Sequence, residues 1–152
     1  MDDIEVIIKE LVDSRLDRHA SSFEKCMSKL ISKVGAGAIV KRFPLKLTGL
    51  DPLSPEFEGQ SNFWMLPMFL KYTRNQTIED YTDHFIPHIS TITNGMNVYS
   101  KTMNAQEKVM FGLFLQLWEC FGKFYIVAGQ KGFAAFDLIV DNIQSQLSEE
   151  NP

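Results

Sequence analysis

An unbroken apolar run, FWMLPMFL at residues 63–70, limits this chain to folds that bury its middle. The run is far shorter than the roughly 20 residues of a membrane-crossing helix. Its aromatic side chains each bury roughly 150–250 Å² when they pack in an interior. We predict a buried helix over residues 62–73, with Ser61 or Asn62 as its N-cap. Pro67 falls near the first turn, where its missing N–H does little harm.

Apolar residues recur at helical spacing before this run, which predicts an αα-hairpin at the start of the chain. The second helix of the pair is expected to begin at Ser21, in a capping box with Glu24, and to stop at Gly35. A short third helix over residues 36–43 follows. The side chains predicted to face inward from the hairpin are Ile4, Ile7, Ile8, Leu11, Val12, Phe23, Cys26, Met27, Leu30, Ile31 and Val34.

Three more helical patterns follow the central run. The first starts at Thr77, is kinked by Pro87 and breaks at Asn94 and Gly95. Asn104 is predicted to cap a strongly apolar helix over residues 105–124, buried on several sides. The last helix covers residues 132–148, and the tail 148–152 is expected to fray. The buried stripes of the first and last patterns are Ile78, Tyr81, Phe85, Ile89, Ile92, Phe133, Phe136, Ile139, Val140, Ile143 and Leu147.

The connection at residues 44–61 contains three prolines and two glycines, which predict an irregular loop without a regular element. Its leucines at 45, 47, 50 and 53 are expected to lie against the protein. A loop of this length in a compact fold is uncommon and often functional.

No segment shows the alternation of a strand flanked by hairpin turns. The sequence therefore predicts one all-α domain over residues 1–152, built from antiparallel helix pairs stacked as a HEAT- or armadillo-like α-solenoid segment.

Composition narrows the functional classes. A net charge of −4 disfavours a strongly basic nucleic-acid module. Cys26 and Cys120 fit buried reduced thiols better than a disulfide framework or zinc spacing. An acidic start predicts that the chain has no secretory signal, and no uncharged apolar run reaches membrane-spanning length, so we expect a soluble intracellular protein. We also expect no cofactor.

Two polar clusters are candidate sites. Residues at i, i+4 and i+8 share one helix face and form a weak candidate for a metal site, with a solvated polar face or a pH-sensitive contact as alternatives: Asp80, His84 and His88. Basic residues flank the long connection and could meet RNA phosphate or a protein partner, with a solvated face as the alternative: Lys41, Arg42, Lys46, Lys71 and Arg74.

Several short motifs occur in a defined order along the chain. A proline-leucine element precedes a Trp-Met-Leu-Pro helix, and helices with Phe-Ile-Pro and Leu-Trp follow. The residues of these motifs are Phe43, Pro44, Phe63, Trp64, Leu66, Pro67, Phe85, Pro87, Leu117 and Trp118. Their order resembles a stretch of a known family, the HEAT-repeat ribosome-assembly factor called ribosomal RNA-processing protein twelve. The resemblance covers about residues 20–147.

This resemblance implies a non-catalytic scaffold in ribosome biogenesis, located in the nucleus and nucleolus. The implied partners are pre-ribosomal proteins, pre-rRNA and the nuclear transport machinery, without a membrane or a small-molecule substrate. Two alternatives stay open from the residues themselves. One is a generic HEAT-type adaptor with no ribosomal role, and the other is a small metal-dependent hydrolase.

Overall fold

The computed structural model describes residues 3, 6, 7, 9, 10, 20–74, 76–125 and 130–149, and nearly all regular structure among them is helical. The predicted all-α class is confirmed. The helices are α1 (Ala20–Val34), α2 (Ala36–Arg42), α3 (Pro55–Gln60), α4 (Met65–Tyr72), α5 (Ile78–His84), α6 (Ile86–Gly95), α7 (Ala105–Phe121) and α8 (Gln130–Glu149).

One short parallel strand pair was not predicted. Strand β1 (Gln76–Thr77) pairs with β2 (Phe124–Tyr125), and each strand is two residues long. The expectation that the chain has no strand was wrong here, because two residues are too few to show the alternation of a strand. The pair ties the start of α5 to the segment that follows α7.

A cluster of aromatic rings forms the centre of the core. Tyr81 of α5 and Phe85, the residue between α5 and α6, are fully buried, and their rings stack with centroids 5.2 Å apart. Phe124 lies 5.3 Å from Tyr81 and 5.4 Å from Phe85. Phe121 approaches Tyr81 to 5.3 Å, and Phe69 of α4 meets Phe85 edge-on at 6.1 Å. The cluster therefore joins α4, α5, α7 and β2 at one place.

The helix pattern from Thr77 to Gly95 was predicted correctly. Its apolar stripe is buried, and the chain breaks where proline was expected to disturb it: α5 ends at His84 and α6 begins at Ile86. Pro87 occupies the first turn of α6, where no N–H is needed. Both helices keep the apolar residues of the stripe buried on either side of this break.

Two N-cap predictions were wrong because tertiary contacts use the polar groups instead. Helix α4 begins at Met65, and Asn62 bonds back to the preceding loop: its N–H donates to the Leu45 carbonyl and its Nδ2 to the Pro44 carbonyl, each at 2.8 Å. Ser21, the other predicted cap, already lies inside helix α1, and Glu24, its predicted capping-box partner, bonds Lys71 instead. The predicted stop at Gly35 is confirmed, with φ +94° after α1.

The connection at residues 44–61 contains a helix that the sequence was expected to forbid. Ser54 caps α3, its Oγ accepting the Phe57 N–H at 3.1 Å, and Pro55 occupies the first helical position. Proline is favoured at that position because it removes an N–H that has no helical partner. Leu45 and Leu47 are buried as predicted, but Leu53 is 54% exposed.

Helix α7 begins as predicted and ends earlier. Asn104 and Glu107 form a reciprocal capping box, with Asn104 Oδ1 accepting the Glu107 N–H at 2.8 Å. The helix ends at Phe121, three residues before the predicted end, because Phe124 joins β2. Val109 is 36% and Leu115 45% exposed, so the prediction of burial on several sides was wrong.

The terminal apolar stripes are only partly covered. In α8, Ala135 and Ile139 are buried, but the predicted inward residues Phe136, Ile143 and Leu147 are exposed. Ile7 is likewise exposed. The other N-terminal stripe positions, the side chain at 133 and residues 150–152 lie outside the described residues. The last helix continues through residue 148, where fraying was expected to begin.

The two cysteines differ in environment. Cys120 is buried as predicted, and burial raises the pKa of its thiol to about 12. Cys26 is exposed, so its predicted inward position was wrong. It lies on the outer side of α1, whose neighbours Phe23 and Met27 face the core.

Helices α2 and α5 approach each other closely enough to require glycine. A Cβ added to Gly37 would lie 2.3 Å from Cγ of Asp80 and 2.7 Å from its Cβ. Rotation about χ1 could move Cγ away, but Cβ is fixed to the α5 backbone, so the overlap at 2.7 Å remains. The spacing between the two helices therefore depends on the missing side chain at this position.

We expect Gly37→Ala to lower the free energy of unfolding by about 1–3 kcal/mol, because α2 must move away from α5. Gly112→Ala is the matched control: a Cβ there meets nothing within 4 Å, on an exposed stretch of α7. That change should raise stability by about 0.5–1 kcal/mol through helix propensity. Urea denaturation of both variants measures the difference, and equal effects would contradict the close approach.

Candidate functional site

The basic candidates come from two stretches of the chain, on either side of the long connection. Lys41 and Arg42 lie in the last turn of α2, and Lys46 follows with φ +50°. Lys71 lies in the last turn of α4, and Arg74 comes just after that helix. All five side chains are exposed. Their convergence into one patch stays a prediction.

Lys71 already holds an anion. Its Nζ lies 2.7 Å from Glu24 Oε1, and the Tyr72 hydroxyl donates to the same oxygen at 2.6 Å. Hydrogen bonding to Lys71 holds the pKa of Glu24 below its usual value, and the same bond raises the pKa of Lys71. We call Glu24, Lys71 and Tyr72 the triad, and its bonds link α1 to α4. Sequence reasoning missed it because 47 residues separate the pair.

The metal-site candidates face different surroundings. Asp80 packs against Gly37 and accepts a hydrogen bond from Thr77 Oγ1 at 3.2 Å. His84 ends α5, whereas His88 belongs to α6 beyond the helix break. Burial lowers the pKa of His88. Within residues 20–74, 76–125 and 130–149, no group of three histidine, cysteine, aspartate or glutamate side chains could hold a metal ion.

The residues that carry the family resemblance are mainly packing residues. The prolines among them are exposed at helix starts or loop positions, and the rest are buried or half-buried. Trp64 meets Phe23 at 5.4 Å between ring centroids, and Trp118 meets Phe121 edge-on at 6.5 Å. The buried members are Leu66, Phe85 and Leu117, and the half-buried members are Phe43, Phe63, Trp64 and Trp118. These motifs therefore specify how the helices pack.

A cleft of about 280 Å³ lies between the long connection, the end of α6 and the start of α7. Its apolar wall consists of Leu50, Ile92, Met96 and Met110, and Glu107 lies at its edge. Methionine side chains adapt to differently shaped ligands, so the cleft suits an apolar group. The sequence feature that had indicated a functional role for this region was the length of the 44–61 connection.

Among the described residues, no helix combines the length and apolar character that crossing a membrane requires.

The stacked helix pairs define the chain as a helical-repeat protein of the HEAT type. A family model described as ribosomal RNA-processing protein 12, HEAT repeats, matches residues 1–146. The chain belongs to this family, and the resemblance predicted from its motifs is confirmed. Comparison with curated proteins and with solved structures gives no match.

The triad predicts an acid-sensitive link between α1 and α4. Because hydrogen bonding to Lys71 lowers the pKa of Glu24 in the folded chain, its ionised carboxylate stabilises the fold at pH values above the ordinary pKa of a glutamate. This stabilisation is lost as the pH falls through the folded-state pKa. We expect Glu24→Gln to lower stability at pH 7 and to flatten the decline in acid, measured by urea denaturation across pH.

Tyr72→Phe is the matched control, because it removes one hydrogen bond to Glu24 and keeps the charge pair. Its pH profile should lie between those of the wild-type chain and Glu24→Gln. An unchanged acid profile for Glu24→Gln would show that the triad does not contribute to stability.

Proposed function

We propose that this chain is a non-catalytic helical-repeat scaffold in pre-rRNA processing, acting in the maturation and export of pre-ribosomal particles. The observation that carries the proposal is the family match over residues 1–146. The burial of the motif residues supports it, since those residues serve helix packing. The nucleus and nucleolus are the compartments that this role requires.

The mechanism is presentation of surface. Helices in a repeat array bury one face against their neighbours and leave another face for partners. Here the aromatic cluster of α4, α5 and α7 provides a rigid interior. Pre-ribosomal proteins are the proposed partners of the outer faces, together with components of nuclear transport.

The basic residues provide a candidate contact to pre-rRNA. Lys41, Arg42 and Arg74 are exposed at helix ends, where cations can reach RNA phosphates. Lys71 is left out of the proposed contact because its charge is paired with Glu24. Each phosphate contact made by such a residue adds to the dependence of affinity on salt.

We expect the tagged chain to co-purify with small-subunit precursor rRNA from cells of its source, measured by quantitative reverse transcription against mature rRNA. A helical-repeat protein of unrelated family serves as the control. Enrichment of precursor over mature rRNA supports the scaffold role. Co-purification with proteins but without precursor rRNA would favour a generic HEAT-type adaptor and contradict this proposal.

A triple variant separates direct RNA contact from recruitment through proteins when its co-purification with precursor rRNA is measured in the same way. It combines Lys41→Glu, Arg42→Glu and Arg74→Glu. For the purified chain, the triple variant should bind single-stranded RNA more weakly, with a salt slope smaller by about 2 for three lost phosphate contacts. A matched triple change of Lys25, Lys29 and Lys33, exposed on α1, is the control. Identical salt dependence for the wild-type chain and the first variant would discard the RNA patch.

A further inference from the structure

The outer side of α8 carries an apolar stripe with regular spacing. Phe136, Val140, Ile143 and Leu147 follow one another at intervals of four, three and four residues. This spacing is the d-a-d-a pattern of a heptad, in which such residues face a second helix. We call these four residues the α8 seam.

The seam is uncovered although the helix is packed. Phe136 is 39%, Ile143 40% and Leu147 53% exposed, and Val140 is half-buried. Helix α8 packs against α5 and α6 through the adjacent side of the helix, where Ala135 is 4% and Ile139 1% exposed. The apolar arc of α8 is therefore wider than the surface its neighbours cover.

Polar contacts fix the rotation of α8 about its axis. Asn142 Nδ2 donates to the Ser90 Oγ of α6 at 2.9 Å, and Gln146 Nε2 donates to Asn142 Oδ1. Gln146 is 8% exposed. Rolling the helix to bury the seam would break these bonds and expose Ile139. The seam thus faces outward as a consequence of the packing.

The charges beside the seam indicate what can cover it. Asp137 and Gln144 occupy e positions along the outer edge of the seam. Asp141 occupies a b position, about one helical turn after Asp137. Residues 134–148 contain no lysine or arginine. Residues at e and g set partner choice in paired helices through opposite charges. A second copy of α8 carries the same two aspartates and no cation over residues 134–148, so it offers them no opposite charge, whereas a basic helix would complement them.

We propose that the α8 seam docks an amphipathic helix of another polypeptide, whose apolar a and d residues are flanked by lysine or arginine. The partner helix lies along α8 and buries the seam. This inference rests on the geometry and charge of α8 alone, so it holds whether or not the chain binds pre-rRNA.

The test uses the whole chain and a synthetic peptide of about three heptads, with leucine at a and d and lysine at e and g. Fluorescence anisotropy of the labelled peptide measures binding. We expect Ile143→Asp to weaken the affinity by about tenfold or more, because it buries an unpaired charge. Leu138→Asp is the matched control: Leu138 is 57% exposed but occupies the f position, away from the seam. Circular dichroism checks that both variants fold.

Results of three kinds would overturn the proposal. The first is failure of the basic peptide to bind, or equal loss with Ile143→Asp and Leu138→Asp. The second is equal binding of a peptide with glutamate at e and g. The third is wild-type dimerisation in sedimentation velocity that Ile143→Asp abolishes and Leu138→Asp preserves, because the seam would then belong to a second copy. Loss of precursor rRNA association leaves each of these readouts unchanged, so the two proposals fail separately.

Discussion

The fold depends on the burial of Tyr81 at the meeting point of α5, α7 and β2. Its ring contacts Phe85, Phe121 and Phe124, and its hydroxyl donates to the Leu117 carbonyl at 2.9 Å. Burial raises the pKa of this hydroxyl, so the group stays neutral and can donate. A buried hydroxyl without a partner would be costly. The tyrosine therefore requires α7 in one position relative to α5, beyond what its apolar ring alone would specify.

Sequence predicted the parts of this fold that local chemistry decides. The stripe through Tyr81 and Phe85, the capping box at Asn104 and the stop at Gly35 each depend on residues close together in the chain. Contacts between distant residues were not predictable: Glu24 bonds Lys71 instead of capping its own helix, and Asn62 bonds the preceding loop. Periodicity also showed that α8 is apolar on one side, but it could not show that α5 and α6 cover just part of that side.

The division between covered and uncovered apolar residues bears on function. Apart from the exposed prolines, the residues that carry the family resemblance are buried or half-buried and set the packing of the helices. The basic ends of α2 and α4, the cleft beside the long connection and the α8 seam lie on the surface, where partners can reach them. The sequence identified the basic residues as candidates. The cleft and the seam could be recognised only in the three-dimensional structure, because contacts between distant elements define them. Such an arrangement fits a scaffold that keeps a rigid core and offers separate surfaces.

A comparison of Phe85→Ala with Phe136→Ala tests the central claim, which is that interior aromatics hold the helices together while α8 keeps part of its apolar side for a partner. Both changes remove the same ring, from a residue that is 0% exposed and from one that is 39% exposed. Urea denaturation should show a loss of about 3–5 kcal/mol for Phe85→Ala. The loss for Phe136→Ala should stay below about 2 kcal/mol, because part of its area is already in water. Equal losses would contradict the account.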